Sequence, residues 1–213
     1  PPQNWNGNET FKSACDKGHS KMVEFLMEKA AILNIDLPPL FKYACDKGHS
    51  GVVAIFMENA ATLMIDFLPQ DWNGNEAFHS ACVKGYSGVV AIFMEKAAIL
   101  KIDLPPQNWN GNEAFKSACN NNHSGLVWIL IQNSARLKID FPPQNWDSNA
   151  CFRKACENGH LEMAAVLMNN AATLGIDLNS RDNDYGQTAF SLGHVFKVMQ
   201  MWSSFSWRTL RPQ

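Results

Sequence analysis

The sequence predicts an all-α repeat solenoid, a stack of similar helical repeats, and three observations support this fold class. The dipeptide Ala-Cys begins at residues 14, 44, 81, 118 and 155, at spacings of 30, 37, 37 and 37 residues. Each occurrence lies in a short amphipathic pattern that is followed by a turn and a strongly apolar segment. Hydrophobic residues make up 46% of the 213 residues, enough for a continuous core. A fixed period of this length is typical of stacked repeats, which present long surfaces to partners.

The period divides residues 1–213, which we expect to form a single domain, into six repeats. Their approximate bounds are 1–37, 38–67, 68–104, 105–141, 142–178 and 179–213. Because the chain begins inside the repeated phrase, we expect it to be a fragment of a longer protein.

Repeat 3 shows the elements of one repeat in order. It opens with a turn at residues 71–74, whose glycine can adopt positive φ. A short first helix is predicted over residues 76–83, because the apolar residues at positions i, i+3 and i+4 from Phe78 share one helical face. Asn75 is the predicted N-cap of this helix.

The second helix of the repeat follows a break at residues 84–87. Ser87 is its predicted N-cap. Residues 89–94 are apolar on almost every side of a helix, which indicates burial between neighbouring repeats.

These segments resemble the ankyrin repeat. Residues 111–119 (GNEAFKSAC) match the first half of that family's pattern, residues 44–53 (ACDKGHSGVV) match its middle, and residues 186–190 (GQTAF) match its opening. The resemblance covers nearly the whole chain. It implies an array of antiparallel helix pairs joined by β-hairpin-like fingers, and it implies that the protein is a protein–protein interaction scaffold.

The chain departs from the family pattern in three places. The family period is about 33 residues, and the family's second helix usually ends at Gly-Ala, where this chain has Ala97-Ala98. Because the extra residues amount to about one helical turn, we expect the second helix to continue through residues 99–101 and to end before Pro105. Repeat 2 lacks the Gln-Asn-Trp-Asn-Gly-Asn-Glu stretch, so its finger is expected to be missing. Repeat 6 lacks about four residues between its helices and is expected to be a degenerate end repeat.

Five of the six cysteines occupy one equivalent position per repeat, and Cys151 is the exception. Equivalent residues of helices packed side by side lie about 8–10 Å apart. A disulfide needs Cα atoms within about 7 Å, so these five are predicted to be buried free thiols. This use of cysteine indicates a reducing compartment, and we expect an intracellular protein in the cytoplasm or nucleus.

The spacing Cys-x-x-x-His recurs in four repeats and could suggest zinc ligands. Each pair supplies only two ligands, however, and repeat 3 has Tyr86 in place of the histidine, so a structural role for this turn is the better interpretation. A catalytic group should be singular, whereas these cysteines and histidines are periodic. No phosphate-binding or nucleophile motif is present. We therefore expect no metal site, no cofactor and no enzymatic activity.

Tryptophans at one position of the turn are the first candidate binding residues. Two interpretations stay open: the indoles contact a partner from exposed fingertips, or they fold back and pack between fingers or on the following Pro-Pro pairs. The residues are Trp5, Trp72, Trp109 and Trp146.

A basic row on the first helices is the second candidate. The resemblance places this position on the concave side of the array, where it would suit an acidic or amphipathic segment. The alternative is an ordinary solvated face whose long side chains cover apolar surface. The residues are Lys12, Lys42, His79, Lys116 and Arg153. Beside the row the repeats differ most, for example at Ser13, Tyr43 and Ser80, whereas the second helices barely differ.

The predicted function is therefore binding of another protein through the fingertips and the concave first-helix surface. Two alternatives belong to other classes: single-stranded nucleic acid binding on a Trp and Lys surface, and a passive spacer or targeting module of a larger enzyme or channel. The net charge of −2 argues against a nucleic acid partner. No apolar run approaches the roughly 18 residues of a membrane span, so no membrane insertion is expected.

Overall fold

The computed structural model describes residues 7–29, 37–63, 68, 71–106, 108–142 and 146–178. Within these ranges the chain forms twelve helices and no strand. The chain divides into two compact units, Pro1–Trp109 and Asn110–Gln213. The predicted β-hairpin fingers are thus not confirmed in the described ranges, and the degenerate repeat 6 lies outside them.

The unit Pro1–Trp109 contains three helix pairs. The first helices of the pairs pack side by side, and so do the second helices. In chain order the helices are α1 (Gly7–Asp16), α2 (Ser20–Met27), α3 (Leu37–Lys47), α4 (Ser50–Leu63), α5 (Gly74–Val83) and α6 (Ser87–Glu95).

The unit Asn110–Gln213 contains two described helix pairs, each followed by a short extra helix. The second helices of the two pairs pack against each other. In chain order the helices are α7 (Gly111–Asn120), α8 (Ser124–Gln132), α9 (Ser134–Leu137), α10 (Ser148–Glu157), α11 (Leu161–Asn169) and α12 (Ala171–Leu174).

The buried core residues recur at the same positions in successive repeats. The predicted first-helix face of repeat 3 is confirmed, because Phe78, Ala81 and Cys82 are all buried. The equivalent phenylalanine is buried in every described repeat, namely Phe11, Phe41, Phe78, Phe115 and Phe152. Repeat 2 lacks the tryptophan that precedes the first helix in its neighbours, and there Phe56 of α4 stacks on Phe11 with ring centroids 6.1 Å apart.

Both predicted N-caps are wrong. The cap of α5 is Asn73, whose extended backbone lets its side-chain oxygen accept the amides of Asn75 and Glu76 at 3.1 and 3.2 Å. The cap of α6 is Tyr86, which makes no side-chain capping bond. The amide of Ser87 donates instead to the Gly85 carbonyl at 2.8 Å.

The expected extension of the second helix through residues 99–101 is also wrong, because α6 ends at Glu95. Residues 97–102 form a separate turn, in which the Ile102 amide donates to the Ala97 carbonyl at 2.9 Å and Lys101 has φ of 55°. This is the pattern of a Schellman motif. The break lets both Leu100 and Ile102 reach the core, where they are 0% and 6% exposed. In repeat 2, by contrast, α4 runs without a break to Leu63.

The turn between the two helices of a repeat also joins neighbouring repeats. His49 Nε2 lies 2.7 Å from the carbonyl oxygen of Asp16, so it donates a hydrogen bond to the end of α1. Its ring lies against Gly18, where a Cβ atom would be 2.6 Å from His49 Nδ1. The histidine that resembled a metal ligand in sequence is therefore a link between repeats 1 and 2.

Replacing His49 by alanine is expected to lower the free energy of unfolding by about 1 kcal/mol, because the Asp16 carbonyl loses its donor. Replacing His19, which meets no such carbonyl among the described residues, is expected to change it by less than about 0.5 kcal/mol. Urea unfolding followed by far-ultraviolet circular dichroism measures both values. Equal losses for the two variants would contradict the assigned hydrogen bond.

Candidate functional site

Trp72 lies in the turn before α5 and is half-buried. Its ring centroid is 5.2 Å from that of Phe41 on α3 and 6.3 Å from that of Phe93 on α6. Its Nε1–H donates to the carbonyl of Leu100 at 2.8 Å. The indole therefore links the first helix of repeat 2 to the second helix of repeat 3 and to the turn that follows that helix.

The other two described tryptophans of this row make the same kind of contact. The ring of Trp109 lies 5.3 Å from Phe78, and that of Trp146 lies 5.2 Å from Phe115, measured between centroids. In each case the indole packs on the first-helix phenylalanine of the preceding repeat. Of the two interpretations of the row, inward packing is thus present, while contact with a partner stays a prediction. Trp5 lies outside the described residues.

The turn that carries each tryptophan is held by an asparagine rather than by a hairpin. Asn75 accepts the amide of Asp103 at 2.9 Å and donates its Nδ2 to the Asp103 carboxylate at 3.0 Å. The same backbone bond joins Asp140 to Asn112 at 3.3 Å and Asp177 to Asn149 at 2.7 Å. The asparagine predicted as an N-cap therefore ties the end of the repeat back to its beginning.

The basic row of the first helices begins with Lys12 and Lys42, which are both exposed. Lys12 Nζ lies 5.2 Å from the ring centroid of Tyr43, in cation–π range. Lys42 pairs with Asp71 at 3.0 Å. This hydrogen bond and the attraction between the two charges raise the pKa of Lys42 and lower the pKa of Asp71.

The remaining members of the row differ in their surroundings. His79 is exposed, and its ring meets the ring of Trp109 edge-on at 6.2 Å. Lys116 pairs with Glu113 at 2.9 Å on the same helix. Arg153 is half-buried on α10. The structure thus brings Lys12 to the Tyr43 ring of the next repeat, whereas Lys116 pairs with Glu113 of its own helix.

Tyr43 is a surface residue that the candidate set missed. Lys12 lies over its ring at 5.2 Å and Lys47 at 5.7 Å, and Lys47 also pairs with Asp16 at 3.5 Å. In the sequence, Tyr43 stands out because repeats 1 and 3 have serine at the equivalent position, Ser13 and Ser80. A half-buried aromatic ring beside two lysines, one of which pairs with a carboxylate, is a chemically mixed patch.

All six cysteines are free, as predicted for the five periodic ones, which are all buried. Burial raises the pKa of the thiols of Cys15 and Cys82 to about 12. Thiols with such a pKa are protonated and unreactive near neutral pH. Among the described residues there is no group of three or more His, Cys, Asp or Glu side chains that could hold a metal ion.

None of the helices in the described part of the chain is both long enough and apolar enough to cross a bilayer.

Comparison with known proteins gives one family. The family model for ankyrin repeats, in 3 copies, matches residues 11–106. No curated protein matches the chain. Ankyrin repeats are in general protein–protein interaction modules, and proteins built from them are typically non-enzymatic binding scaffolds. The matched range covers the three helix pairs of α1 to α6 nearly completely, and residues 11–106 therefore belong to the ankyrin repeat family.

Proposed function

We propose that this chain is a non-enzymatic scaffold that binds another protein through the surface of its first helices. The observation that carries the proposal is the contrast between buried and exposed positions. Residues 51–58 and 88–95, which form most of the second helices α4 and α6, have the same sequence, GVVAIFME. The exposed first-helix positions differ from repeat to repeat, as expected where a surface is fitted to a partner rather than to the neighbouring repeat.

The centre of this surface is the Tyr43 patch, defined as Lys12, Asp16, Tyr43 and Lys47. Tyrosine is enriched among the residues that dominate binding energies. Two lysines lie over the Tyr43 ring, Lys12 at 5.2 Å and Lys47 at 5.7 Å from the centroid. The two ammonium groups and the aromatic face suit an acidic or amphipathic segment of the partner.

The role of the tryptophan row in this function differs from that of the patch. Trp72 and Trp109 each pack on the first-helix phenylalanine of the preceding repeat. Stacking of single-stranded nucleic acid bases requires free indole faces, and these indoles already contact phenylalanine rings. The net charge of −2 also disfavours a nucleic acid partner. Protein binding is for both reasons the better-supported function.

Changing Tyr43 to serine is expected to reduce capture of the bound protein by about tenfold or more, as for other central aromatic residues of an interface. The purified chain is immobilised, a cell extract is passed over it, and captured proteins are quantified by mass spectrometry. Serine is the residue of repeats 1 and 3 at this position, so the variant should keep its fold.

The matched control is Glu24→Gln on the exposed side of α2, which should capture the same proteins in the same amounts as the original chain. The proposal fails if the Tyr43 variant, shown by circular dichroism to be folded, retains the full captured set.

A further inference from the structure

The second helix of repeat 1, α2, exposes apolar side chains at positions that are covered in later repeats. Met22 is 49% exposed and Phe25 is 59% exposed, and because they are three residues apart they lie on one side of α2. The residues equivalent to Met22 in repeats 2, 3 and 5 are at most 1% exposed, namely Val52, Val89 and Met163. Repeat 1 therefore has an open apolar face where these repeats have a buried one.

The packing of neighbouring second helices shows what covers this side in repeats 2 and 3. A Cβ atom on Gly51 of α4 would lie 2.7 Å from Ser20 Oγ of α2, so this side of α4 faces the preceding repeat. The same distance recurs between the equivalent atoms of α6 and α4. The equivalent position of α2 is residue 21, one helical turn before Phe25. The open face of α2 is thus the one that, in α4 and α6, packs on a preceding repeat.

The turn before α2 is open on the same side. In repeat 2 the turn histidine, His49, donates to the Asp16 carbonyl of the preceding repeat. The equivalent ring is half-buried in repeats 2 to 5, whereas His19 of repeat 1 is exposed. His19 borders an open cleft between α1 and α2, which Ser13 and Met22 also line. The end of another first helix would fit against His19 as the end of α1 fits against His49.

We propose that this side of repeat 1 binds a further helix pair of the same type, which stacks on repeat 1 as repeat 1 stacks on repeat 2. The surface is called the Met22 face and is defined as His19, Lys21, Met22 and Phe25. It shares no residue with the Tyr43 patch, so the inference is separate from the proposed function. Docking of the helix pair removes the two apolar side chains from water, which drives the association.

The choice of a helix pair as the occupant follows from the interface between repeats 1 and 2. There the preceding first helix ends on the carbonyl that the turn histidine reaches, and the preceding second helix begins with a serine that meets the next second helix. An extended peptide does not present a helix-end carbonyl and a helical serine together. Lys21 replaces the glycine of repeats 2 and 3 and can donate to such a serine. A charged residue fits at this position, because Ser124 donates to Glu162 at 3.2 Å between repeats 4 and 5.

The test lengthens the chain by one helix pair of its own sequence, with residues 68–104 placed directly before Pro1. Residues 1–9 and 105–113 have the same sequence, PPQNWNGNE, so the new junction repeats the sequence of the natural one after residue 104. The original and lengthened chains are unfolded in urea, each with and without Met22→Ala, and followed by far-ultraviolet circular dichroism. In the original chain the substitution should move the urea midpoint by no more than about 0.2 M, because Met22 is exposed. In the lengthened chain it should lower the midpoint by about 1 M, as for a buried methionine.

His19→Ala gives a second, polar readout. It should leave the midpoint of the original chain nearly unchanged. It should lower the midpoint of the lengthened chain about as much as His49→Ala lowers that of the original chain, because the added first helix supplies the carbonyl of Val83 in the place of Asp16. Trp128→Ala, at an exposed position of α8, is the matched control and should shift both chains equally.

The proposal is overturned if Met22→Ala and His19→Ala have the same effects in both chains, or if the added residues bring no further helix signal. Analytical ultracentrifugation tests the other occupant of the Met22 face, a second copy of the chain. We expect the original chain to be a monomer. A dimer that Phe25→Lys converts to a monomer would mean that a second copy covers the face, and this result would also overturn the proposal.

Discussion

Replacing Trp72 by alanine is expected to lower the free energy of unfolding by about 3 kcal/mol, the lower part of the range for removing a large aromatic ring, because the indole is half-buried. The indole contacts Phe41 and Phe93, and its N–H satisfies the Leu100 carbonyl. Its removal opens a gap between repeats 2 and 3 and leaves that carbonyl without its donor. Urea unfolding is followed by far-ultraviolet circular dichroism, which reports helix content. This signal avoids the fluorescence change that the loss of a tryptophan brings.

Two matched variants separate the contributions. Trp72→Phe keeps an aromatic ring but loses the hydrogen bond, and about 1 kcal/mol of the loss is expected from that bond alone. Trp128, on α8, is 41% exposed and replaces the alanine found at residues 54 and 91. Trp128→Ala is therefore expected to change stability by no more than about 0.5 kcal/mol. Similar small losses for Trp72→Ala and Trp128→Ala would favour the other interpretation of the row, in which the indoles serve a partner rather than the fold.

Replacing Gly48 by alanine is expected to cost about 3 kcal/mol, from two separate causes. Gly48 has φ of +76°, a conformation that costs other residues about 1–2 kcal/mol. A Cβ atom there would also lie 2.6 Å from Cγ and Cδ1 of Tyr86, so the ring that joins repeats 2 and 3 would have to move.

The control for this prediction is Gly159→Ala, at the same position of repeat 5. Gly159 has φ of +68°, and none of the residues that the structure describes lies within 4 Å of an added Cβ atom. This variant should cost only the conformational part, about 1 kcal/mol. The double variant Gly48→Ala/Tyr86→Ala, compared with the two single variants, should recover the steric part as a coupling energy. Equal losses at Gly48 and Gly159 would mean that the Tyr86 ring moves freely and does not fix the spacing of the repeats.

The features that repeat along the chain were predictable from sequence. The period, the helix pairs, the buried face that contains Phe78 and Cys82, and the free state of the periodic cysteines follow from local patterns of apolar residues. These patterns repeat the same information several times, which makes them robust to the irregularity of any one repeat.

The features that depend on contacts between segments were not predictable. Both Asn73 and Asn75 are suitable N-caps by type, and only the extended backbone of Asn73 decides between them. The second helix has a sequence that could continue past Glu95, but the chain turns there because Leu100 and Ile102 must both be buried. At the candidate site, sequence placed Trp72 in a turn but could not tell whether its ring points outward, because that depends on Phe41 of another repeat.

The missing tryptophan of repeat 2 is offset by other contacts between repeats 1 and 2. Trp72 packs on Phe41 of the preceding repeat, whereas between repeats 1 and 2 Phe56 stacks on Phe11 and His49 donates to the Asp16 carbonyl. The first helices α1 and α3 and the second helices α2 and α4 also pack side by side there. Because each repeat of an array is stabilised mainly by its neighbours, repeat 1 is expected to unfold together with repeat 2 rather than ahead of it.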